Sequence, residues 1–132
     1  MMQIPSNFTP QLKKPPLELY SIKLYSTGVK GKVYTNHFYR SMNHNFGVEI
    51  QIRNNTSLMQ NVKIGGCIND ALGNTVVKWK TTTKQIPAHS SLANDFFVYE
   101  NDFSKMRDGE YFVQFWINDM KVKSEYFTVS FK

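Results

Sequence analysis

The side chains of this sequence best suited to chemistry are rings and amides, not nucleophiles. In the run DGEYFVQFWIND, Phe112, Gln114 and Trp116 recur at every second position, so an extended chain presents all three on one face. Flat rings beside an amide suit a sugar, which offers apolar C–H faces and polar edges. They also suit single-stranded nucleic acid, whose bases stack on rings while lysines follow the phosphates. Catalysis has less to stand on. Neither a GxSxG nor an HExxH motif occurs, and the acids fall singly on expected turns and outer faces. Cys67 follows Gly65–Gly66 with no helix N-terminus to lower its pKa, so an inert thiol is expected. No catalytic residue is assigned, and the chain reads as a non-enzyme.

A soft metal site is conceivable from His37, Met42, His44 and Met59. Arg40 stands between the two histidines and disfavours a cation there. Surface histidines on an edge strand are the ordinary outcome, so no metal and no cofactor are expected. Glycosylation triplets occur at Asn7-Phe8-Thr9, Asn54-Asn55-Thr56 and Asn55-Thr56-Ser57, and matter only on a eukaryotic secretory route.

The elements that must position the rings are strands. Tyr111, Val113, Phe115 and Ile117 form the inward face of the Tyr111–Asn118 strand. Phe46–Arg53 alternates most cleanly, with Phe46, Val48, Ile50 and Ile52 inward. Val62–Asn69 follows, placing Val62, Ile64, Gly66 and Ile68 inward and Lys63, Gly65, Cys67 and Asn69 outward. Asp70–Asn74 then makes a hairpin loop into a strand over Thr75–Thr82, with Val77 and Trp79 on one face and Val76, Lys78 and Lys80 on the other. Ile86–Ser91 is a crossover whose Pro87 blocks further pairing. Leu92–Glu100 is the next strand, and Asn101–Arg107 the loop after it. Val122–Phe131 closes the chain, with Val122 out of phase and a bulge implied. At the start, Leu17–Tyr25 is a strand, Thr27–Lys32 a glycine turn, and Val33–Arg40 an edge strand.

Tyr111 just after Asp108–Gly109 resembles the tyrosine corner of immunoglobulin-like sandwiches, in which the phenol bonds back to the preceding loop. With no helical stripe of useful length, the pattern implies an all-β protein: a single immunoglobulin-like antiparallel β-sandwich of about seven to eight strands. Residues 17–132 form that domain, behind a proline-rich arm or linker over residues 1–16. In such an order the Tyr111–Asn118 strand lies between Val62–Asn69 and the last strand. The ligand-binding set is then Trp116, Phe112, Gln114, Lys63, Asn69, Lys78 and Lys80, with Gly65 leaving a hollow beside Trp116. The competing reading is that the first strand, the arm or a second subunit covers these rings as plain packing.

Composition sets the outer bounds. The 132 residues include ten Phe, seven Tyr and two Trp, enough for an ordered core. A net charge of +6 favours acidic partners without demanding nucleic acid, for which no reader motif is present. One cysteine rules out an internal disulfide framework. No apolar run reaches membrane-spanning length. Met1–Pro10 is too polar for a signal peptide, which leans towards the cytoplasm.

The runs VEIQIRNNTSLMQNVKIGGCINDALGNTVV, IPAHSS and DGEYFVQFWIND together resemble a bacterial immunoglobulin-like pattern. That order is similar to the carbohydrate-binding C-terminal domain of the nucleotide-binding subunit in polysaccharide-exporting ABC transporters. The resemblance covers residues 46–131 and lacks the ATPase half, since no GxxxxGK[ST] occurs. It implies a non-catalytic module that binds a glycan or polysaccharide. The alternative is a structural or assembly protein that holds a partner chain by the same face or an edge strand, with room for a homodimer.

Overall fold

The computed structural model describes residues 14–28 and 31–132. Most of the expected arm therefore lies outside the described residues. The rest is an all-β sandwich of two sheets. The smaller sheet runs β2-β1-β4-β8, from β1 (Leu17–Gly28), β2 (Gly31–Tyr34), β4 (Phe46–Asn54) and β8 (Ser91–Val98). The larger runs β3-β10-β9-β5-β6, from β3 (His37–Tyr39), β10 (Met120–Ser130), β9 (Gly109–Ile117), β5 (Gln60–Asp70) and β6 (Thr75–Lys78). A further strand, β7 (Thr82–Ile86), pairs with β5 beside β6. All pairings are antiparallel except β3 with β10.

Alternation puts the core where the sequence places it. Phe46, Val48, Ile50 and Ile52 are each 0% exposed, and β4 is flanked on both sides, by β1 and β8. Val62, Ile64, Ile68, Val113, Phe115, Phe127 and Val129 answer from the larger sheet. Phe38 and Phe46 stack at 4.4 Å between ring centroids and close one end of the core. Tyr111 is buried, and its hydroxyl donates to the Arg107 carbonyl at 2.6 Å, the expected corner. The bulge at Val122 is also present: Lys121 pairs with Trp116 and Lys123 with Phe115, so the register skips one residue.

The strand count and several boundaries differ from expectation; the Thr27–Lys32 turn, for one, is shorter, because β1 runs on to Gly28 and β2 begins at Gly31. Ten strands are described, because Val33–Arg40 divides in two and β7, which begins where the expected Thr75–Thr82 strand ends, was not foreseen. Val33–Arg40 splits at Thr35–Asn36, where the chain leaves the smaller sheet and joins the larger as β3. Thr75–Thr82 breaks at Trp79–Thr81, which leaves β5 to pair first with β6 and then with β7. Asn101–Arg107 is no plain loop: α1 (Glu100–Phe103) is a single turn that sends Phe103, then Met106, into the core.

Asn54 shows why a polar residue ends β4. It is 0% exposed, and its Nδ2 donates to the carbonyls of Leu58, Ile86 and Pro87 while its Oδ1 accepts from Thr56. These bonds pin the Asn55–Ser57 turn and the end of β7 together. An amide so engaged is no glycan acceptor, which removes the Asn54 triplet; the Asn7 triplet lies outside the described residues. On the outer face of the smaller sheet, Tyr25 lies over Gly47, where a Cβ would come within 2.3 Å of its ring. Burial pushes its phenol up to about 12, and Lys32 sits 4.6 Å above the ring while pairing with Glu49 and Asp95.

Ile50→Ala is expected to cost about 2–5 kcal/mol through transfer and cavity terms. Tyr111→Phe should cost about 0.5–1.5 kcal/mol, the net worth of one hydrogen bond. Urea titrations read both, and an unchanged midpoint for Ile50→Ala would show the core face reversed. The hydrogen bond to Lys32 holds the Glu49 carboxyl below its usual 4.5. A depressed acid stabilises the fold above its unfolded pKa and loses that contribution as pH falls through its folded value. Stability should thus decline on acidification below about 4.5, less steeply in Lys32→Met, as thermal melts at stepped pH would record.

Candidate functional site

Neighbouring strands of the larger sheet align the outer face row by row. Gly65 stands opposite Trp116, Cys67 opposite Gln114, and Asn69 opposite Phe112. On the other side of β9, Lys121, Ser124 and Tyr126 face the same three residues. Cys67 also pairs with Lys78 on β6. The expected strand order and face are therefore the observed ones.

The two adjacent glycines of β5 do opposite work, because successive positions point to opposite faces. Gly66 points inward. A Cβ there would lie 2.6 Å from the Phe115 ring and 3.0 Å from Trp79, so only glycine lets the two rings stack, at 5.9 Å and 2°. Gly65 points outward, and a Cβ there would meet only Thr81 Oγ1 at 3.9 Å and Trp116 Cβ at 4.0 Å. The space it leaves belongs to a hollow of about 450 Å³. Gly65, Gly66 and Cys67 form its floor, Trp116 one wall, and Thr75, Thr81, Lys78 and Asp119 its polar rim.

The expected ligand-binding set does not converge on one point. Trp116, half-buried, and Lys78, exposed, line the hollow. Phe112 lies two rows along, edge-on to Tyr126 at 5.7 Å, with Gln114 between. Asn69 accepts a 2.8 Å bond from Thr75 Oγ1, which positions the rim rather than reaching into it. Lys63 reaches the hollow only through Asp119, which it holds at 3.1 Å. Lys80 is exposed on the Trp79–Thr81 excursion and is not among the lining residues. Thr75, Thr81, Asp119 and Trp79 were not in the expected set. Their signal was the phase break after Lys78, which a single-strand reading hides.

Cys67 is buried, and burial pushes its thiol up, against the charges of Lys78 and Lys121, which pull it down. By register, Lys78 stands opposite Cys67 and Lys121 opposite Trp116. His37 donates to or accepts from Thr128 and Ser130 through its two ring nitrogens, and His44 is exposed beside Glu100. The first strand, β1, lies in the other sheet and is not what covers this face.

No family model matches the chain, and no curated protein matches it. Solved structures do. An alkylpurine DNA glycosylase from Pseudomonas fluorescens, bound to DNA containing an abasic site analogue, superposes with a TM-score of 0.64 at 9% identity, over 87% of this chain and 30% of that one. Red sea bream transglutaminase gives 0.63 at 12%, over 89% and 17%. A β-glucosidase from Erythrobacter marinus gives 0.63 at 10%, over 86% and 15%. The chain thus spans less than a third of each of these proteins. Likeness at such identity shows the fold alone. It is an all-β sandwich.

Gly65→Ala should leave stability within about 0.5 kcal/mol, since the added methyl enters open space. Gly66→Ala, one residue on, should cost about 1–3 kcal/mol by overpacking the rings. Equal melting temperatures for the two variants would refute the division of labour between the glycines.

Proposed function

We propose that the protein is a non-catalytic recognition module of immunoglobulin-like architecture that binds a glycan in the hollow beside Trp116. The observation that carries this reading is the combination at Gly65: a missing side chain, a ring wall on one side, and hydroxyl, ammonium and carboxylate groups around the rim. A sugar lays an apolar face on the ring and turns its hydroxyls to Thr75, Thr81, Lys78 and Asp119. The rim is polar enough to orient a ligand and open enough to admit one residue of a longer chain.

Catalysis fits this arrangement poorly. Glycoside hydrolysis usually needs a pair of carboxylates across the scissile bond. Among the described residues Asp119 is the lone acid lining the hollow, and Lys63 pairs with it. Solved structures similar in fold include a β-glucosidase from Listeria innocua in complex with glucose and a β-glucuronidase, at 12% and 13% identity. They make a carbohydrate context compatible without pointing to it. The assignment to the domain of polysaccharide-exporting ABC transporters rests on turn motifs alone. Lys78, which lines the hollow, and Lys121, opposite Trp116 in the ladder, favour an acidic sugar over a neutral one, and they keep a phosphate polymer as the second reading.

Trp116→Ala should cost about 2 kcal/mol or more of binding, over tenfold in Kd, while sparing the melting temperature. Trp fluorescence, titrated with neutral and acidic oligosaccharides and with an oligonucleotide at two salt concentrations, reads this. Trp79, packed on Phe115, supplies a constant background. A phosphate polymer would instead bind with affinity falling steeply in salt, shared among Lys78 and Lys121. No response to any sugar, or a Trp116→Ala chain that simply unfolds, sinks the glycan reading.

A further inference from the structure

Among the described residues, β8 pairs with β4 on one side and with no strand on the other. The Ser90 carbonyl accepts from Asn54 N, and the Phe97 carbonyl accepts from Trp79 Nε1 in the other sheet. By alternation, the N–H and C=O groups of Ser91, Ala93 and Asp95 therefore turn to the free edge, and the Trp79 bond marks where that edge ends. The side chains of all three are exposed. Sheet edges are ordinarily blunted by lysine, proline or a bulge. β8 has no lysine and no proline, and its register with β4 runs without a shift. The other edges are guarded. The open half of β1 carries a register shift between Leu19 and Ser21, and Lys123 Nζ donates to the Tyr20 carbonyl. β6 and β7 carry Lys78 and Lys84, and β2 and β3 are short.

We propose that this edge docks the same strand of a second copy of the chain, antiparallel, about a two-fold axis at Ala93. The charge pattern selects that register. Arg53 lies opposite Ser91 on β4, its guanidinium donates to Ser91 Oγ at 3.5 Å, and no carboxylate pairs with it among the described residues. Centring on Ala93 sets Asp95 of one copy across from Ser91 of the other. Asp95 then lies two strand spacings, roughly 10 Å, from the second copy's Arg53, within reach of that side chain, and its carboxylate would be shared between that guanidinium and Lys32 of its own chain at 3.4 Å. The contact forms twice by symmetry. Centring on Asp95 would instead set two carboxylates face to face. Ala93 at the axis offers no bulk to oppose approach. Residues 1–16 are a poor alternative occupant, because Pro5, Pro10, Pro15 and Pro16 interrupt the donors that a strand needs. Pairing of edges buries little surface, so the dimer is weak and concentration-dependent.

Sedimentation velocity on the full chain across a concentration series tests this, with hydrogen exchange of the Ala93 and Asp95 amides alongside. The sedimentation coefficient should rise with concentration, and those amides should slow in step. Ala93→Pro removes the central edge donor, which takes no part in pairing with β4, and should stay monomeric with its melting temperature kept. Arg53→Asp should weaken the dimer several-fold at an unchanged melting temperature, whereas Arg53→Lys, which keeps the charge, should retain it, a contrast that a fold-wide defect would not give. Monomer at every concentration overturns the proposal, as does a dimer that survives Ala93→Pro. Protection of those amides at all concentrations also overturns it, because the chain's own residues would then hold the edge.

Discussion

The structure depends on how one tryptophan is accommodated. Trp79 leaves the larger sheet just after β6, stacks on Phe115, meets Phe96 at 5.2 Å, and donates its indole N–H to the Phe97 carbonyl at 2.8 Å. It is the side chain that joins the two sheets at their open side, and its bond satisfies an edge carbonyl that no strand pairs. The ring fits only because Gly66 has no Cβ. Placing a large ring here costs β5 its ladder partner at that point, and the Trp79–Thr81 excursion is the result. The backbone is not abandoned there, since Trp79 N still reaches the Gly66 carbonyl at 3.1 Å.

The hollow follows from that accommodation. A continuous strand over Thr75–Thr82 would have run directly beside Gly65, and its outward side chains would have filled the space. With the chain displaced, Thr81 stands off at 3.9 Å from where a Gly65 side chain would begin. Packing inside the sandwich and a concavity outside it are thus two consequences of the same pair of glycines. The concavity sits at the junction of β9 and β5, which are flanked on both sides by other strands. Residues held in such a ladder lose little further freedom on binding, which favours recognition by a preformed face over an ordered loop. The Lys63–Asp119 pair and the Asn118 bonds to the Lys63 backbone hold the β9–β10 turn against β5.

Sequence periodicity was enough for the core faces, while the order of β10, β9, β5 and β6 and the rows across them came from the resemblance to an immunoglobulin-like order. Phe46–Ile52 and Tyr111–Ile117 alternate without interruption, and one wrong step would have moved every apolar residue to solvent. The corner at Tyr111 and the bulge at Val122 were equally legible, because each leaves a local mark in phase or turn chemistry. What escaped were features decided by distant contacts. Nothing local in TVVKWKTTTKQI says that Trp79 will turn inward hard enough to break the strand; that depends on Gly66 and Phe115. The change of sheet at Thr35–Asn36 is set by pairing of β3 with β10, whose residues lie near the other end of the chain. Phe103 and Met106 looked like loop residues because one helical turn is too short to show a period. Of the expected site, Trp116 and Lys78 reach the hollow, while Lys80 does not, because the strand that would have aimed it ends at Lys78.

The two sheets carry different kinds of surface, and this bears on how the proposed recognition face and the proposed contact edge would coexist. The hollow lies on the outer face of the larger sheet, whereas the free strand β8 borders the smaller one. The Trp79 indole separates them: its ring backs the floor of the hollow through Gly66, and its N–H closes the β8 edge at Phe97. A second copy paired along Ser91–Asp95 would extend the smaller sheet sideways and leave Trp116 facing away from the joint. Two such copies would present two hollows in fixed relation. A polymer with repeating units could then engage both, and the second contact would form at high effective concentration without any new side-chain chemistry.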